Sequence, residues 1–242
     1  MRLRRIYDLF IWRLQLFFRF KVFVVLFLSH FIVLWIIRGG TSGSYIDLSS
    51  FNKILYKGIY RHGLFGLMFS LLIVPPIISY LSSLLFSYEF ENRLFRFYLS
   101  LPISRILLFI VNILAMIVVI FIPMLSAQLV SSILLYRNIN IFSSINVIIS
   151  GLTIFMGYLF IYILYIISLS VLLNLILRSH IYATIFTSII VFLLYFIGRN
   201  SRELMRILPP LSMIYSSPYP TLILSIIFLT ISLILFRRIE AL

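Results

Sequence analysis

Glu89 and Glu91 stand two positions apart in the segment SYEFENRLFRFYLSLPISR, residues 87–105, followed by Arg93, Arg96 and Arg105. Two neighbouring carboxylates could act as general acid and base or hold a metal. Residues two apart on a helix point in different directions, however, so this pair does not converge on one reacting atom. The chemistry that suits the cluster is ionic recognition of another surface. Metal chemistry finds little support elsewhere: there is no cysteine, and His30, His62 and His180 are predicted at different depths. Asp8 and Asp47 are predicted on opposite sides of the chain's apolar body. The sequence therefore predicts neither a catalytic centre nor a metal site.

The elements that must position this cluster are unusual for a soluble chain. Of 242 residues, 63% are hydrophobic and only 11% charged, where a soluble domain is about half apolar. The apolar residues are gathered into long runs, the mark of membrane-spanning helices. A β-barrel would show short alternating segments instead. Six spans are predicted, at about 20–37, 64–86, 107–131, 148–176, 181–198 and 219–236. The expected fold is an all-α polytopic membrane protein with six transmembrane helices, forming one domain over residues 1–242. The formal charge of +14 suits anionic headgroups beside the spans better than nucleic acid. Arg13, Arg19 and Lys21 interrupt any early apolar core, so a cleavable signal is not expected.

Residues 1–19 are predicted to form an interfacial amphipathic helix. Leu3, Ile6, Phe10, Leu14 and Phe17 share one face, and Arg2, Arg4, Arg5, Asp8 and Arg13 fall on the other, toward headgroups. Basic residues set the orientation. With both termini cytoplasmic, twelve of the twenty Lys and Arg lie inside, six of them flanking the first span. Residues 87–105 and the LRSH turn at 177–180 are then cytoplasmic. The loop at 199–218 is extracellular, and the apolar run RILPPLSMIYSSPYP that continues to residue 220, with four prolines, predicts a short helix or re-entrant segment. Pro75 and Pro76 are expected to kink the second span and Pro123 the third.

Within the charged segment, Phe86, Phe90, Leu94 and Phe97 step at helical spacing, while Glu89, Arg93 and Arg96 share another face. Pro102 stops the helix before the third span. This predicts a short amphipathic helix on the inner membrane face. A solvated connector whose arginines only fix orientation is the alternative.

The segment resembles the cytoplasmic loop of ABC-2-type transporter permeases, in which glutamates lead into a Leu-Ser-x-Pro-x-Ser-Arg run and then a span. The matching residues are Glu89 and Glu91, then LSLPISR at 99–105. Where that family often has a glycine and a lysine, this chain has Asn92 and Asn112. The basic N-terminal helix, the six spans, the Pro-bearing loop before the last span and the FRRIEAL end are similar to the family in layout. The resemblance implies a non-catalytic transmembrane subunit of an exporter in the plasma membrane. It works with a second permease subunit, identical or homologous, and with separate ATPase subunits that carry ATP and magnesium. In agreement, the chain contains no G-x-x-x-x-G-K-[ST] phosphate loop. The loop would dock on the ATPase as a coupling helix through Glu89, Glu91, Arg93, Arg96 and Arg105, with Arg178 as a second contact.

Charges are nearly absent from the span interiors, which weighs against an ion-coupled secondary transporter, the first alternative. A polytopic membrane enzyme, the second, lacks a convergent set of catalytic groups. The candidates for lining a translocation path are Tyr158, Tyr162 and Tyr165 with Asn112, Gln128 and Asn174. Packing and interhelical hydrogen bonds are their plainer roles, as for His30.

Overall fold

A computed structural model of the chain describes residues 2–17, 20–38, 51–71, 73–91, 104–135 and 141–238. The helices are α1 (Arg2–Phe17), α2 (Phe20–Arg38), α3 (Phe51–Ser70), α4 (Val74–Glu91) and α5 (Arg105–Leu135). They continue with α6 (Ile141–Leu177), α7 (His180–Arg199), α8 (Arg202–Ile207), α9 (Ser212–Tyr215) and α10 (Tyr219–Arg238). In lipid each backbone N–H and C=O must be bonded within its own segment, so an apolar run becomes a helix. Among the described residues, four helices are long and apolar enough to cross a membrane: Arg105–Leu134, Ile148–Leu177, His180–Arg199 and Tyr219–Arg238. Each lies within three residues of its predicted span. A bent pair, His62–Ser70 with Val74–Ser87, makes a fifth when counted as one span. The chain is a polytopic all-α membrane protein. The apolar part of α2, Lys21–Ile36, is shorter than the other spans.

The second predicted span needs correction. Residues 64–86 are not one kinked helix: α3 and α4 meet at 63° between Ser70 and Val74. Pro75 and Pro76 sit in the first turn of α4, where backbone N–H groups have no intrahelical acceptor and proline costs nothing. The prolines thus start a helix rather than bend one. α3 also begins at Phe51, well inside the predicted loop at 38–62. Its polar residues kept it out of the apolar run, but none of them breaks a helix.

α6 is the central helix, packing against α3, α4, α5, α7 and α10. Of its apolar window 67% is buried inside the chain, against 28% for α7 and 22% for α10, so these two present most of their surface outward. Ser79, Ser83 and Ser87 repeat every fourth residue along α4 and are fully buried. Small side chains at this spacing allow close approach of neighbouring helices in lipid; here α4 packs on α6 and α7. α3 reaches α6 by the same device, since a Cβ at Gly63 would lie 2.4 Å from Cδ2 of the buried Phe155 ring. Gly63→Ala is expected to destabilise the chain by about 1–3 kcal/mol through overpacking. Gly157→Ala, where an added Cβ meets nothing within 4 Å, is the matched control. Thermal unfolding in detergent compares the two, and equal midpoints would show that Phe155 yields freely.

The N-terminal helix also departs from expectation. α1 packs on α5, with Leu9 buried and Phe10 and Leu14 half-buried against the core. Arg13, expected among the headgroup-facing arginines, is fully buried, its guanidinium 4.9 Å from the Trp12 ring centroid. Arg13 follows Leu9 by four positions and so lies on the same helical face. Docking against α5 covers that face, whereas a lone interfacial helix would leave it wet. Asp8 is exposed, as expected.

Candidate functional site

Both ends of the 87–105 segment are anchored by described side chains. On the α4 side, Ser87 Oγ donates to Asn174 Oδ1 of α6 at 2.6 Å. Asn174 Nδ2 in turn donates to Ser82 Oγ at 3.2 Å and to the Ser170 carbonyl at 2.8 Å. The amide thereby joins α4 to the last turn of α6. On the other side, Ser104 accepts a hydrogen bond from the Leu107 N–H at 3.3 Å. This is an N-cap that satisfies one of the free donors opening α5. Arg105 Nη1 donates to the Arg237 carbonyl at 3.1 Å, so a cation meets the negative, C-terminal end of α10.

Three aromatic rings close the space between these anchors. Phe86, Phe109 and Phe236 have centroids 5.3 to 6.0 Å apart and are buried. They bring α4, α5 and α10 together one residue from Ser87 and from Arg237. Phe86, expected on the apolar stripe of a short amphipathic helix on the inner membrane face, is instead in the core. The reason is that α4 runs unbroken through Glu91, so the helix of the segment begins as the end of a span. Glu89 and Glu91 belong to the last turn of α4. Arg93 and Arg96 lie outside the described residues.

Arg178 belongs to the same end of the bundle, one turn beyond Asn174; its N–H bonds the Asn174 carbonyl at 3.0 Å. Its φ of 52° is left-handed, a conformation that costs a non-glycine residue about 1–2 kcal/mol. Glycine is the usual residue at such a helix end; here the chain carries an exposed arginine. Arg178→Gly is expected to raise stability by about 1 kcal/mol, read as a higher unfolding midpoint. A lowered midpoint would mean that the side chain holds the turn.

The remaining predicted residues are dispersed through the interior. Tyr162 and Tyr165 are buried and Tyr158 half-buried. Tyr162 Oη lies 3.5 Å from Ser70 Oγ, and the Tyr165 ring packs 6.4 Å from that of Phe228. Tyr162 also lines a small apolar pocket with Leu67, Met68, Pro210 and Met213. Asn112 and Gln128 are fully buried on α5, and Gln128 Nε2 donates to Ser132 Oγ at 3.3 Å. His62, predicted in a loop, is instead in α3, its Nε2 3.2 Å from Ser131 Oγ. Among the described residues no three His, Cys, Asp or Glu side chains form a metal-binding group.

The segment 199–218 folds as two short helices, α8 and α9. Pro209, Pro210, Leu211 and Met213 are buried, and Ser212 Oγ lies 2.9 Å from Thr221 Oγ1 of α10. The prolines interrupt the helix, and the apolar residues between tuck inward.

Sequence reasoning missed Phe109, Phe236, Ser82 and Ser87. The fourfold serine spacing on α4 and the Ser104 cap ahead of an apolar run were signals that could have found part of this set. Comparisons with protein-family models, with curated proteins and with solved structures each find no match.

Proposed function

We propose that the chain is the transmembrane subunit of an ATP-driven exporter of the ABC-2 permease type, with six spans, in the plasma membrane. The α2 helix would be the first span and the α3–α4 pair the second. The observation that carries this reading is the convergence at one end of the bundle. The ends of the 87–105 segment, the Arg178 turn and the end of α10 are linked through Ser87–Asn174, the Phe86–Phe109–Phe236 cluster and Arg105–Arg237. A load applied to the segment would reach α4, α5, α6 and α10 together, which is what a coupling element requires.

In this reading that end faces the cytoplasm, and α1 lies at the same interface. Glu89 and Glu91, with Arg93 and Arg96, supply charges that set register against a separate ATPase subunit, which holds ATP and magnesium. Arg178 adds a second contact. A second permease subunit, identical or homologous, completes the path, and this chain itself catalyses no reaction.

The test is copurification. The tagged chain, expressed with ATPases encoded beside it, is expected to retain a phosphate-loop ATPase through detergent extraction and to transport only with ATP. Purification alone, with transport driven by an ion gradient, would replace this reading by the ion-coupled one.

A further inference from the structure

Helices α2, α3 and α5 each carry a buried imidazole or amide group in the apolar interior, and α2 packs on both α3 and α5. His30 of α2 is fully buried, and neither ring nitrogen has a hydrogen-bond partner among the described residues. It lies against Gly66 of α3, where an added Cβ would be 3.5 Å from His30 Cε1 and 2.4 Å from Leu34 Cδ2. His62 precedes Gly66 by four positions, one turn along the same face. Its Nε2 reaches Ser131 of α5, and its Nδ1 has no partner. Gln128, one turn before Ser131 and Ser132, commits its amide nitrogen to Ser132 and leaves Oε1 unpaired.

Buried polar atoms in a low-dielectric interior are costly until a partner satisfies them. The chemistry of these atoms defines that partner. A neutral imidazole carries one N–H and one bare nitrogen in either tautomer, so His30 offers both a donor and an acceptor. Gln128 Oε1 only accepts. A ligand serving the set must both donate and accept. A cation does not, and residues 21–36, 62–70 and 105–134 contain no Asp or Glu to balance its charge. Two imidazoles also fall short of the ligand count of a zinc site. A small neutral molecule with two donors and two acceptors remains, and water commonly makes about three bonds in such places.

We propose that His30, His62 and Gln128 form a water-binding site between α2, α3 and α5, with Gly66 leaving room for the His30 ring. The site is independent of any ATPase partner and can fail without affecting that reading.

The experiment is radiolytic labelling of the full chain in lipid nanodiscs in ¹⁸O-enriched water, analysed by mass spectrometry. Hydroxyl radicals form from water in place, so side chains touching a bound water are oxidised even where bulk solvent does not reach. His30 and His62 are expected to label at least about fivefold faster than the fully buried Phe86 and Phe155. Gln128→Leu should lower the His30 rate toward theirs. Labelling of both histidines at the phenylalanine rate in the unmodified chain would show a dry site and overturn the proposal. Retention of one zinc per chain after dialysis against zinc, lost in His30→Phe, would overturn it in favour of a metal.

Discussion

Exchanging Glu89 and Glu91 together for lysine is expected to reduce ATP-driven transport at least about tenfold while leaving insertion and folding intact. Tenfold corresponds to about 1.4 kcal/mol, and like-charge contacts across a docking surface cost that much or more. The change falls in the last turn of α4, beyond Ser87, whose bond to Asn174 remains in place. The folded bundle should therefore tolerate it. The measurements are ATPase pull-down and transport in proteoliposomes, with the unfolding midpoint as the control for folding. Transport and ATPase retention at wild-type levels would remove the proposed coupling role from these carboxylates. A fall in the midpoint would assign them to the fold instead.

Asn174→Leu is expected to have the largest effect on stability, a loss of about 2–4 kcal/mol. Asn174 bonds Ser87, Ser82 and the Ser170 carbonyl at 2.6, 3.2 and 2.8 Å. Interhelical hydrogen bonds in membranes average about 0.6 kcal/mol and reach about 1.7. Leucine removes those bonds and strands the Ser82 hydroxyl in the interior, at about 1–3 kcal/mol for an unpaired group, while Ser87 Oγ keeps its 3.2 Å bond to the main-chain carbonyl of residue 174. Its branched side chain must also enter a seam built of serines. Ser87→Ala, which removes the hydroxyl shared between Asn174 Oδ1 and the Asn174 carbonyl and adds no bulk, should cost about 1 kcal/mol. Thermal unfolding of both variants decides the matter. Equal midpoints for Asn174→Leu and the unmodified chain would mean that the network contributes nothing to holding α4 on α6.

The apolar windows of α5, α6, α7 and α10 were legible in residue order because lipid offers one solution to an apolar run, although α6 itself begins seven residues before its window, at Ile141. The serine spacing on α4 carried a signal of the same kind, but it was missed. The candidate site was legible only in part. Its charges stood out, and Ser104 and Arg105 flank a span as expected. Phe86 was misplaced because its helical stripe continues smoothly from the span into the charged segment, and periodicity does not mark where burial stops.

Arg13, Gly66 and the turn at Arg178 show where residue order ran out. An arginine at the edge of an amphipathic pattern belongs to the polar face until α5 covers it. Gly66 has no meaning until His30 and Leu34 arrive from α2. Arg178 shows nothing unusual until its backbone angle is known.

The sequence by itself determined that this is a multi-pass helical membrane protein, with the paired glutamates and arginines of residues 87–105 set between spans. Composition and run length suffice for that, because the cost of unpaired backbone in lipid leaves helices and closed barrels, and long unbroken apolar runs do not make a barrel. Only the tertiary structure decided the break before Pro75, the burial of Arg13 and Phe86, and the packing of His30 against Gly66. Each of these depends on which helix faces which, and in lipid small contacts settle that choice: serine hydroxyls, absent Cβ atoms and single amides.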